Sequence, residues 1–397
     1  MNAFLEHVKP LYNSEDPFRL KAWNRFQEMG IPSYPYLPLG QLRSFKIAAP
    51  KKEILLQKNA DFPYDLVFVN GKFRPDLSDP LQDDIVLMPL SEALIDYAAF
   101  LKTHLEKQST EEKDAFALLT TALTKEAIFL YVPPGALLKT RIIHIQTAKS
   151  SFGRLDIFLG PGAEAEITLK NYTQITDPSF SSELIHLHLE KDSICRLQKI
   201  DQHHNKQWAF SFVRAFQKTG STLHTVLASS GALSARSDFI TTLAEEGAKA
   251  YIGGASRLKA FNQGHTQVLV RHLAPNTESQ QLFKTILEDV SRSSFLGEIY
   301  VAKEALKTNA FQLSRSLLLS EKAISYSRPQ LQIFADDVKA SHGSTVGQLD
   351  EEMLFYIQSR GISKADATAM LLSSFVDDLL TWFKTPLSQT EALKILA

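Results

Sequence analysis

Few side chains in this sequence could bind a metal through nitrogen or sulfur, and most of those are histidines. The chain has 11 histidines and one cysteine, Cys195. A single cysteine cannot form an internal disulfide, and a protein metal site usually takes about four ligands. Any metal chemistry therefore needs histidine, other residues or ligands from a second chain.

The histidine pairs are the next candidates. His186 and His188 stand two apart in a predicted strand, so they share a face with the spacing of zinc or copper ligands. Glu190 continues the same face and no third ligand is apparent nearby, which favours an outward polar face over a metal site. His203 and His204 lie in a polar segment and are weaker candidates.

Motifs for nucleotide binding and hydrolysis are missing from the sequence. It contains no Gly-x4-Gly-Lys-Ser/Thr loop, no Gly-x-Gly-x-x-Gly fingerprint and no His-Glu-x-x-His motif. The segment 343–347 has a glycine at each end like a nucleophile elbow, but Thr345 occupies the serine position. These absences weaken an enzymatic interpretation without excluding an unfamiliar enzyme, so no catalytic residue is assigned, and any ATP hydrolysis is expected in a partner.

Short strands bounded by glycine recur through the middle of the chain. The steps are about 27 to 30 residues, which is typical of a solenoid with one coil per step. The aligned turns are Gly135-Ala136, Gly162-Ala163, Asp192-Ser193, Gly220-Ser221 and Gly247-Ala248.

The alternation within these strands predicts an inward apolar column. In the second copy Glu164 and Glu166 fall on the outward face with Thr168 and Lys170, while the residues between them are apolar. Lys199 is an exception at an inward position. The shared inward position is predicted to hold Leu138, Ala165, Cys195, Leu223 and Ala250.

This register makes Cys195 a buried small hydrophobe rather than a ligand or redox residue. Parallel coils also leave strand edges exposed, and such an edge must be capped or paired with another chain. We therefore expect a protein partner at an end of the solenoid.

The pattern divides the chain into three regions. We predict an α-helical N-terminal domain over residues 1–124, a β-helix core over 125–347 and a C-terminal helical domain over 348–397. In the first domain we predict helices over Phe18–Met29, Ser91–Leu105, with Ser91 as its N-cap, and Thr110–Leu123.

In the C-terminal domain we predict a helix over Asp350–Arg360 and a second helix that begins at a capping box of Ser363 and Asp366. The second helix carries an apolar stripe that could pack on its own domain, receive another protein, or do both. The stripe comprises Ala367, Met370, Leu371, Phe375, Leu379 and Phe383.

Charge and hydropathy limit the classes of partner. The 43 basic and 44 acidic residues give a formal net charge of -1, which provides no electrostatic reason to expect nucleic acid or an anionic membrane. The N-terminal residues lack the pattern of a signal peptide, and no run of about 18 apolar residues could span a bilayer. These features predict a cytoplasmic protein.

The segment 328–350 reads Arg-Pro-Gln-Leu-Gln-Ile-Phe-Ala-Asp-Asp-Val-Lys-Ala-Ser-His-Gly-Ser-Thr-Val-Gly-Gln-Leu-Asp and resembles the C-terminal signature of the SufB/SufD family. The resemblance continues through Leu354-Phe355-Tyr356 and upstream through Asn309-Ala310-Phe311-Gln312. It covers roughly residues 265 to 380 well, and its Asp-Asp-Val-Lys-x-Ser-His-Gly form is most similar to the SufD side of the family.

The resemblance implies a mainly β fold, with a right-handed parallel β-helix between helical ends. It also implies a complex that assembles and transfers iron–sulfur clusters, in which the chain pairs with SufB through the β-helices and binds the ATPase SufC through C-terminal helices. The partner-binding candidates are Leu354, Phe355, Leu371, Leu372, Phe375 and Leu379.

The sequence departs from the family at Ala340, where the family usually has cysteine. If the segment is extended, Ala340 and His342 project from the same face, so cysteine and histidine there could reach one metal. Here only the His342 imidazole remains, a competent but single iron ligand. By resemblance a SufB cysteine would supply the rest. Asp336 and Asp337 fit a turn, and Lys339 a solvated surface residue.

The resulting hypothesis is a non-catalytic scaffold in which SufC dimerisation distorts the interface near His342, so that a cluster forms or leaves. The isolated chain is expected to bind no stable cofactor and could form a homodimer; nothing in the sequence indicates whether a flavin binds the complex. The alternative is a β-helix enzyme acting on polysaccharide, for which Glu164 and Glu166 would be the carboxylates.

Overall fold

The structure is a computed structural model that describes residues 2–14, 16–31, 33–40, 42, 45 and 65–396. Part of the predicted N-terminal domain, residues 46–64, lies outside the described residues. The helices are α1 Asn2–Val8, α2 Pro17–Met29, α3 Leu90–Asp96, α4 Ala98–Glu111, α5 Ala115–Leu123, α6 Glu351–Ser359, α7 Lys364–Leu380 and α8 Pro386–Leu396.

Strands make up most of the rest of the chain. They are β1 Leu66–Val69, β2 Lys72–Phe73, β3 Val86–Pro89, β4 Ile128–Val132, β5 Leu137–Gln146, β6 Ser150–Leu159, β7 Glu164–Thr173, β8 Ser179–Leu189, β9 Ile194–Gln202, β10 Gln207–Gln217, β11 Thr222–Ser230, β12 Ser234–Leu243, β13 Lys249–Leu258, β14 Gln263–His272, β15 Glu278–Leu287, β16 Arg292–Val301, β17 Thr308–Leu318, β18 Ile324–Ile333 and β19 Val338–Gln348.

These strands build two facing sheets of a parallel β-helix, as predicted. From β4 onwards, even-numbered strands stack in one sheet, here the even sheet, and odd-numbered strands stack in the other, the odd sheet. Each strand pairs in parallel with the strand two places along the chain, so one coil contributes one strand to each sheet. The core between the sheets is mostly Leu, Ile, Val and Ala.

The predicted register is confirmed. Leu138 pairs with Ala165, Ala165 with Cys195, Cys195 with Leu223, and Leu223 with Ala250, and all five side chains are buried in one cluster. The aligned turns are alike as well. Gly135, Gly162, Asp192, Gly220 and Gly247 all have φ between 57° and 72°, a region in which glycine pays no steric penalty.

The segment before residue 125 is less helical than predicted. β1 pairs in parallel with β5 and forms a hairpin with β2, while β3 pairs antiparallel with β4. These short strands cover the first edge of each sheet, which would otherwise offer unpaired backbone groups.

The N-terminal helices pack on the outer face of the even sheet. Phe116 of α5 lies edge-to-face with Phe210 of β10, at a ring-centroid distance of 4.7 Å. Asp114 caps α5 by accepting from the backbone N–H of Phe116 and Ala117, and its carboxylate also binds the Arg236 guanidinium at 2.5 Å. This ion pair fixes the start of α5 on the sheet.

Two predicted helix starts were wrong. Ser91 lies inside α3, whose N-cap residue is Pro89, and the helical segment breaks at Tyr97 between α3 and α4. Thr110 belongs to the last turn of α4, and α5 begins after Asp114. Only Phe18–Met29 matches its helix, α2, nearly to the residue.

The C-terminal helices pack on the outer face of the odd sheet. α6 begins after Asp350, which accepts from the Met353 N–H, and α7 begins after Ser363, which accepts from the Asp366 N–H, as predicted. A third helix, α8, was not predicted. No helix in the described part of the chain is long and apolar enough to cross a membrane.

Candidate partner interface and metal-ligand position

The last coil of the β-helix is formed by β18 and β19. Within the described residues, each has a neighbouring strand on one side only, β16 and β17 respectively. Their outer edges therefore present unpaired backbone N–H and C=O groups, which can pair with a strand of another chain. We call these two edges the terminal edge.

His342 lies on β19 and belongs to an inward-facing column of the odd sheet. The column ends in His342, which is exposed because no further coil covers it. Its members are Thr140, Ile167, Leu197, Thr225, Ile252, Gln281, Gln312 and His342.

The column changes from apolar to polar as it approaches the terminal edge. Gln312 Nε2 donates a hydrogen bond of 2.8 Å to Gln281 Oε1, and both side chains are buried. Gln312 Oε1 has no hydrogen-bond partner among the described residues. The two glutamines and His342 thus form a polar ladder that opens at the terminal edge.

Ala340 and His342 project from the same face, which confirms the geometric expectation. Ala340 pairs with Ala310, which continues the Cys195 column beyond Ala250 and Ser279. Ala340 also packs on a small apolar cluster that includes Ile299 and Val301. A cysteine at position 340 would lie two residues from His342 and face the same way. Iron binding by His342 stays a prediction.

The other residues of the signature segment lie in or beside a turn. Asp336 and Asp337 form the exposed bend between β18 and β19, and the Asp337 carbonyl accepts from the Lys307 N–H at 2.6 Å. Lys339 is exposed on the outward side of β19. These positions agree with a turn for the aspartates and a surface role for the lysine.

The six partner-binding candidates are not equally accessible. Phe355 is 74% exposed on α6, and Leu354, Leu371 and Phe375 are half-buried. Leu372 and Leu379 are buried, because α7 lies against the odd sheet and Leu379 contacts the backbone at Gly253.

The predicted stripe of α7 is therefore corrected. Its core-facing members are Ala367, Leu372, Val376, Leu379 and Leu380. Met370, by contrast, is 52% exposed. Leu372 and Leu379 stabilise the chain's own fold and are not available at its surface.

The prediction of an exposed polar face at His186 and His188 is also corrected. Both point away from the β-helix interior, but the N-terminal helices cover them and both are buried. His188 Nδ1 lies 3.1 Å from His104 Nε2 on α4, and His188 Nε2 lies 2.9 Å from Glu190 Oε1. Burial is the main cause that lowers the pKa of His186, to about 3.

Cys195 is buried in the apolar core, as predicted. Burial raises the pKa of its thiol to about 12, which disfavours the reactive thiolate. His204 lies in the turn after β9, where its Nε2 is 3.0 Å from Ser179 Oγ. No group of three or more His, Cys, Asp or Glu residues in the described part of the chain could hold a metal ion.

A polar cluster inside the β-helix was missed at the level of sequence. Lys199 is fully buried and contacts the Glu183 carboxylate, with Asp201 Oδ2 at 3.7 Å. Asn171 Nδ2 donates to both carboxylates, and His144 Nδ1 lies 3.4 Å from Glu183 Oε2. Burial lowers the pKa of Lys199. The signal was present, because Lys199 stood out as a charged residue at an inward position.

Family models match the chain over most of its length. The core-domain model of SUF-system iron–sulfur cluster assembly proteins, the SufBD core domain, matches residues 142–375. The model of the SufBD N-terminal region matches residues 60–145. The first match runs from β5 to α7 and includes the terminal edge.

Curated relatives carry the same family name. The chain is 27% identical to a SufBD family iron–sulfur cluster assembly protein of Synechocystis, over 79% of this chain and 73% of that protein. It is 43% identical to SufD of Escherichia coli, over 29% of this chain and only 27% of that protein. It is 23% identical to SufB of Bacillus subtilis, over 94% of this chain and 77% of that protein.

The core-domain match covers more than half of the chain, and it agrees with both the parallel β-helix and the signature segment on β18 and β19. The chain belongs to the SufBD family of iron–sulfur cluster assembly proteins.

Proposed function

We propose that this chain is a non-catalytic, SufD-type scaffold subunit. It pairs with a SufB-like subunit through the terminal edge and binds a SufC-like ATPase through its C-terminal helices. The observation that carries the proposal is the position of His342, which ends an inward column at an edge with no neighbouring strand among the described residues.

The surroundings of the terminal edge support a protein partner. Phe334, in the turn between β18 and β19, is 60% exposed, and Ile333, Phe311 and Val346 are also exposed large apolar residues. Apolar side chains beside unpaired backbone groups give a second strand both hydrogen bonds and buried area. A homodimer through the same edge is the expected state of the chain when the SufB-like partner is absent.

The single imidazole of His342 supports a shared site rather than a site held by this chain alone. An iron–sulfur cluster takes about four ligands, and neutral imidazole is a competent one. In the proposed complex the SufB-like subunit supplies the remaining ligands. The cluster is cargo that forms at the interface between the two subunits and then leaves it. The isolated chain is accordingly expected to hold no stable cofactor.

The C-terminal helices support a separate contact for the ATPase. Met353, Phe355, Tyr356 and Met370 are all at least half exposed, and together we call them the C-terminal apolar patch. They lie on α6 and α7, and the other face of α7 packs on the odd sheet. ATP-driven association of two ATPase subunits on such patches would shift this chain relative to the SufB-like subunit and distort their interface near His342. The cytoplasmic location stays a prediction.

Anaerobic co-purification with SufB-like and SufC-like subunits, followed by iron and sulfide analysis, tests the proposal. The His342→Ala variant should assemble with both subunits but lose about tenfold or more of the bound iron, a scale on which even outer-shell changes affect metal affinity. Ser341→Ala is the matched control, since Ser341 is exposed on the opposite side of the same strand.

Two results would contradict the proposal. One is full cluster content in the His342→Ala complex. The other is a purified chain that hydrolyses ATP or binds a stoichiometric cluster without partners. The polysaccharide alternative gains no support from the structure, because Glu164 is paired with Arg196 at 3.3 Å on the outer face of the odd sheet.

A further inference from the structure

A crevice lies between α4 and the outer face of the even sheet, where it extends from β8 to β14. Its volume is about 230 Å³. The helix contributes His104, Lys107 and Glu111 to its lining, and the sheet contributes residues of β8, β10, β12 and β14. The crevice lies where α4 covers His186 and the later coils extend past the helix.

The sheet side of the crevice is largely apolar. Phe216, Ile240 and Leu269 point outward from three successive coils and are only half-buried. The Lys107 ammonium stands 5.1 Å from the centroid of the Phe216 ring, a cation–π distance. A flat apolar group could therefore lie between the sheet and α4.

The charged side chains around this wall are mostly basic. Four cations line the crevice, Lys107, Lys113, Arg214 and Arg271, against two carboxylates, Glu111 and Glu112. Arg214 is already bound to Glu112 and to Asp238, at 2.8 and 2.6 Å. Lys107 lies 4.0 Å from Glu111.

Two of the four cations remain available, the exposed Lys113 and the half-buried Arg271. Arg271 makes no hydrogen bond or ion pair with another described residue, and its burial in the crevice makes it the better placed of the two. A guanidinium held without an acceptor is suited to a carboxylate, sulfonate or phosphate group, which it can bind through two parallel hydrogen bonds.

His186 forms part of the crevice lining beside α4 and is 6% exposed. Both of its ring nitrogens are buried without a hydrogen-bond partner among the described residues. The crevice is therefore closed at these two nitrogens, and the polar contact open to a ligand is the Arg271 guanidinium.

We infer that this crevice binds a small organic anion, whose acidic group pairs with Arg271 and whose apolar body lies on Phe216, Ile240 and Leu269. The crevice is smaller than the range of about 300–1,000 Å³ typical of sites for drug-sized ligands. Its ligand is accordingly about the size of one fused ring system with one acidic group. This site is independent of the proposed scaffold function.

Isothermal titration of the full-length chain with naphthalene-1-sulfonate tests the inference. One molecule should bind per chain, and the neutral analogue naphthalene-1-methanol should bind about tenfold more weakly, because it lacks the charge-assisted contact. Arg271→Gln should weaken binding of the sulfonate about tenfold and leave binding of the neutral analogue unchanged. Leu269→Trp should abolish binding of both by filling the crevice.

Arg315→Gln is the matched control. Arg315 is an exposed arginine on the odd sheet, so its loss changes the net charge equally without touching the crevice. Wild-type affinity is expected for this variant. Equal sulfonate affinity in the Arg271→Gln, Arg315→Gln and wild-type chains would overturn the inference, as would a preference for the neutral analogue or an absence of binding.

Discussion

His342 pairs with Gln312 in the ladder between β19 and β17, and the buried Gln312 side chain turns toward the β-helix interior. The imidazole is therefore directed along the inward face of the last coil and is exposed only because the coil is the last. A second subunit that adds a strand at this edge would cover it. The same parity places Ala340 beside it, facing the same way.

This shared face makes Ala340→Cys an informative substitution. The variant adds a thiolate two residues from the imidazole and on the same side, so the assembled complex should retain more iron than the wild-type complex. We expect the iron content to increase by about twofold or more, since a cysteine thiolate that binds the iron directly strengthens the site. Anaerobic iron and sulfide analysis of the purified complex provides the measurement.

Ala340→Ser is the control for Ala340→Cys, because it adds a side chain of similar size without a thiolate. Its iron content should equal that of the wild-type complex. Equal iron in the cysteine and serine variants would show that position 340 does not face the metal in the assembled complex.

The C-terminal helices should separate stability from partner binding. Leu379→Asp places a carboxylate in the apolar contact between α7 and the odd sheet, so we expect a loss of several kcal/mol in the free energy of unfolding. Phe355→Asp changes a residue that is 74% exposed, so stability should change by about 0.5 kcal/mol or less. Urea unfolding of the isolated chain measures both changes.

In a pull-down with the SufC-like ATPase, Phe355→Asp is the informative variant, because it should weaken ATPase binding without unfolding the chain. If Phe355 is a central contact of the C-terminal apolar patch, its loss costs about 2 kcal/mol or more, which is at least about thirtyfold in affinity. Full ATPase binding by a folded Phe355→Asp variant would place the ATPase contact elsewhere on the chain.

The coils of the β-helix could be predicted from sequence because local signals specify them. A left-handed turn at positions such as Gly162 and Gly220 recurs once per coil, and alternation on either side fixes which residues face inward. The placement of Cys195 followed from these two signals alone. The terminal position of His342 followed from the family signature.

The remaining features depend on contacts between segments distant in sequence. Leu379 and Met370 both look apolar on the helix, and only the packing of α7 on the sheet separates a buried residue from an exposed one. His186 was expected to face solvent because α4, which covers it, lies about 80 residues earlier in the chain. Lys199 was an exception to the inward apolar pattern, and its charge is compensated by Glu183 on a strand of the opposite sheet.

The interior ion pair predicts a strong coupling between Lys199 and Glu183. Lys199→Met leaves the Glu183 carboxylate buried without its ammonium partner, so we expect a loss of about 3–5 kcal/mol in the free energy of unfolding. The double variant Lys199→Met/Glu183→Gln should lose less than Lys199→Met alone, because it removes the uncompensated charge. Urea unfolding of the single and double variants measures the difference.

A surface ion pair that also involves β9, the strand of Lys199, provides the control for this coupling. Arg196 of β9 lies 3.3 Å from Glu164 and is partly exposed, so Arg196→Met should cost about 1 kcal/mol or less. Equal effects of Lys199→Met and Arg196→Met would mean that water reaches the interior cluster and screens it.

Buried neutral histidines should make the chain less stable in mild acid, and His272 gives the clearest case. It is fully buried, with Nδ1 and Nε2 each 2.8 Å from a hydroxyl, of Thr277 and Ser279 respectively, and burial lowers its pKa to about 3. In the unfolded chain its pKa returns to about 6.5. Below pH 6.5 the unfolded state therefore binds a proton that the folded state does not, and stability falls as the pH falls toward 3.

The expected contribution of His272 is about 1.4 kcal/mol per pH unit, or about 2 kcal/mol at pH 5 relative to pH 7. His272→Gln retains a donor and an acceptor but cannot titrate, so its free energy of unfolding should fall less steeply between pH 6.5 and pH 5. Urea unfolding of both chains at several pH values in this window measures the two slopes. Carboxylates and the other histidines contribute to both chains alike, so identical slopes would mean that His272 is protonated in the folded state or reached by water.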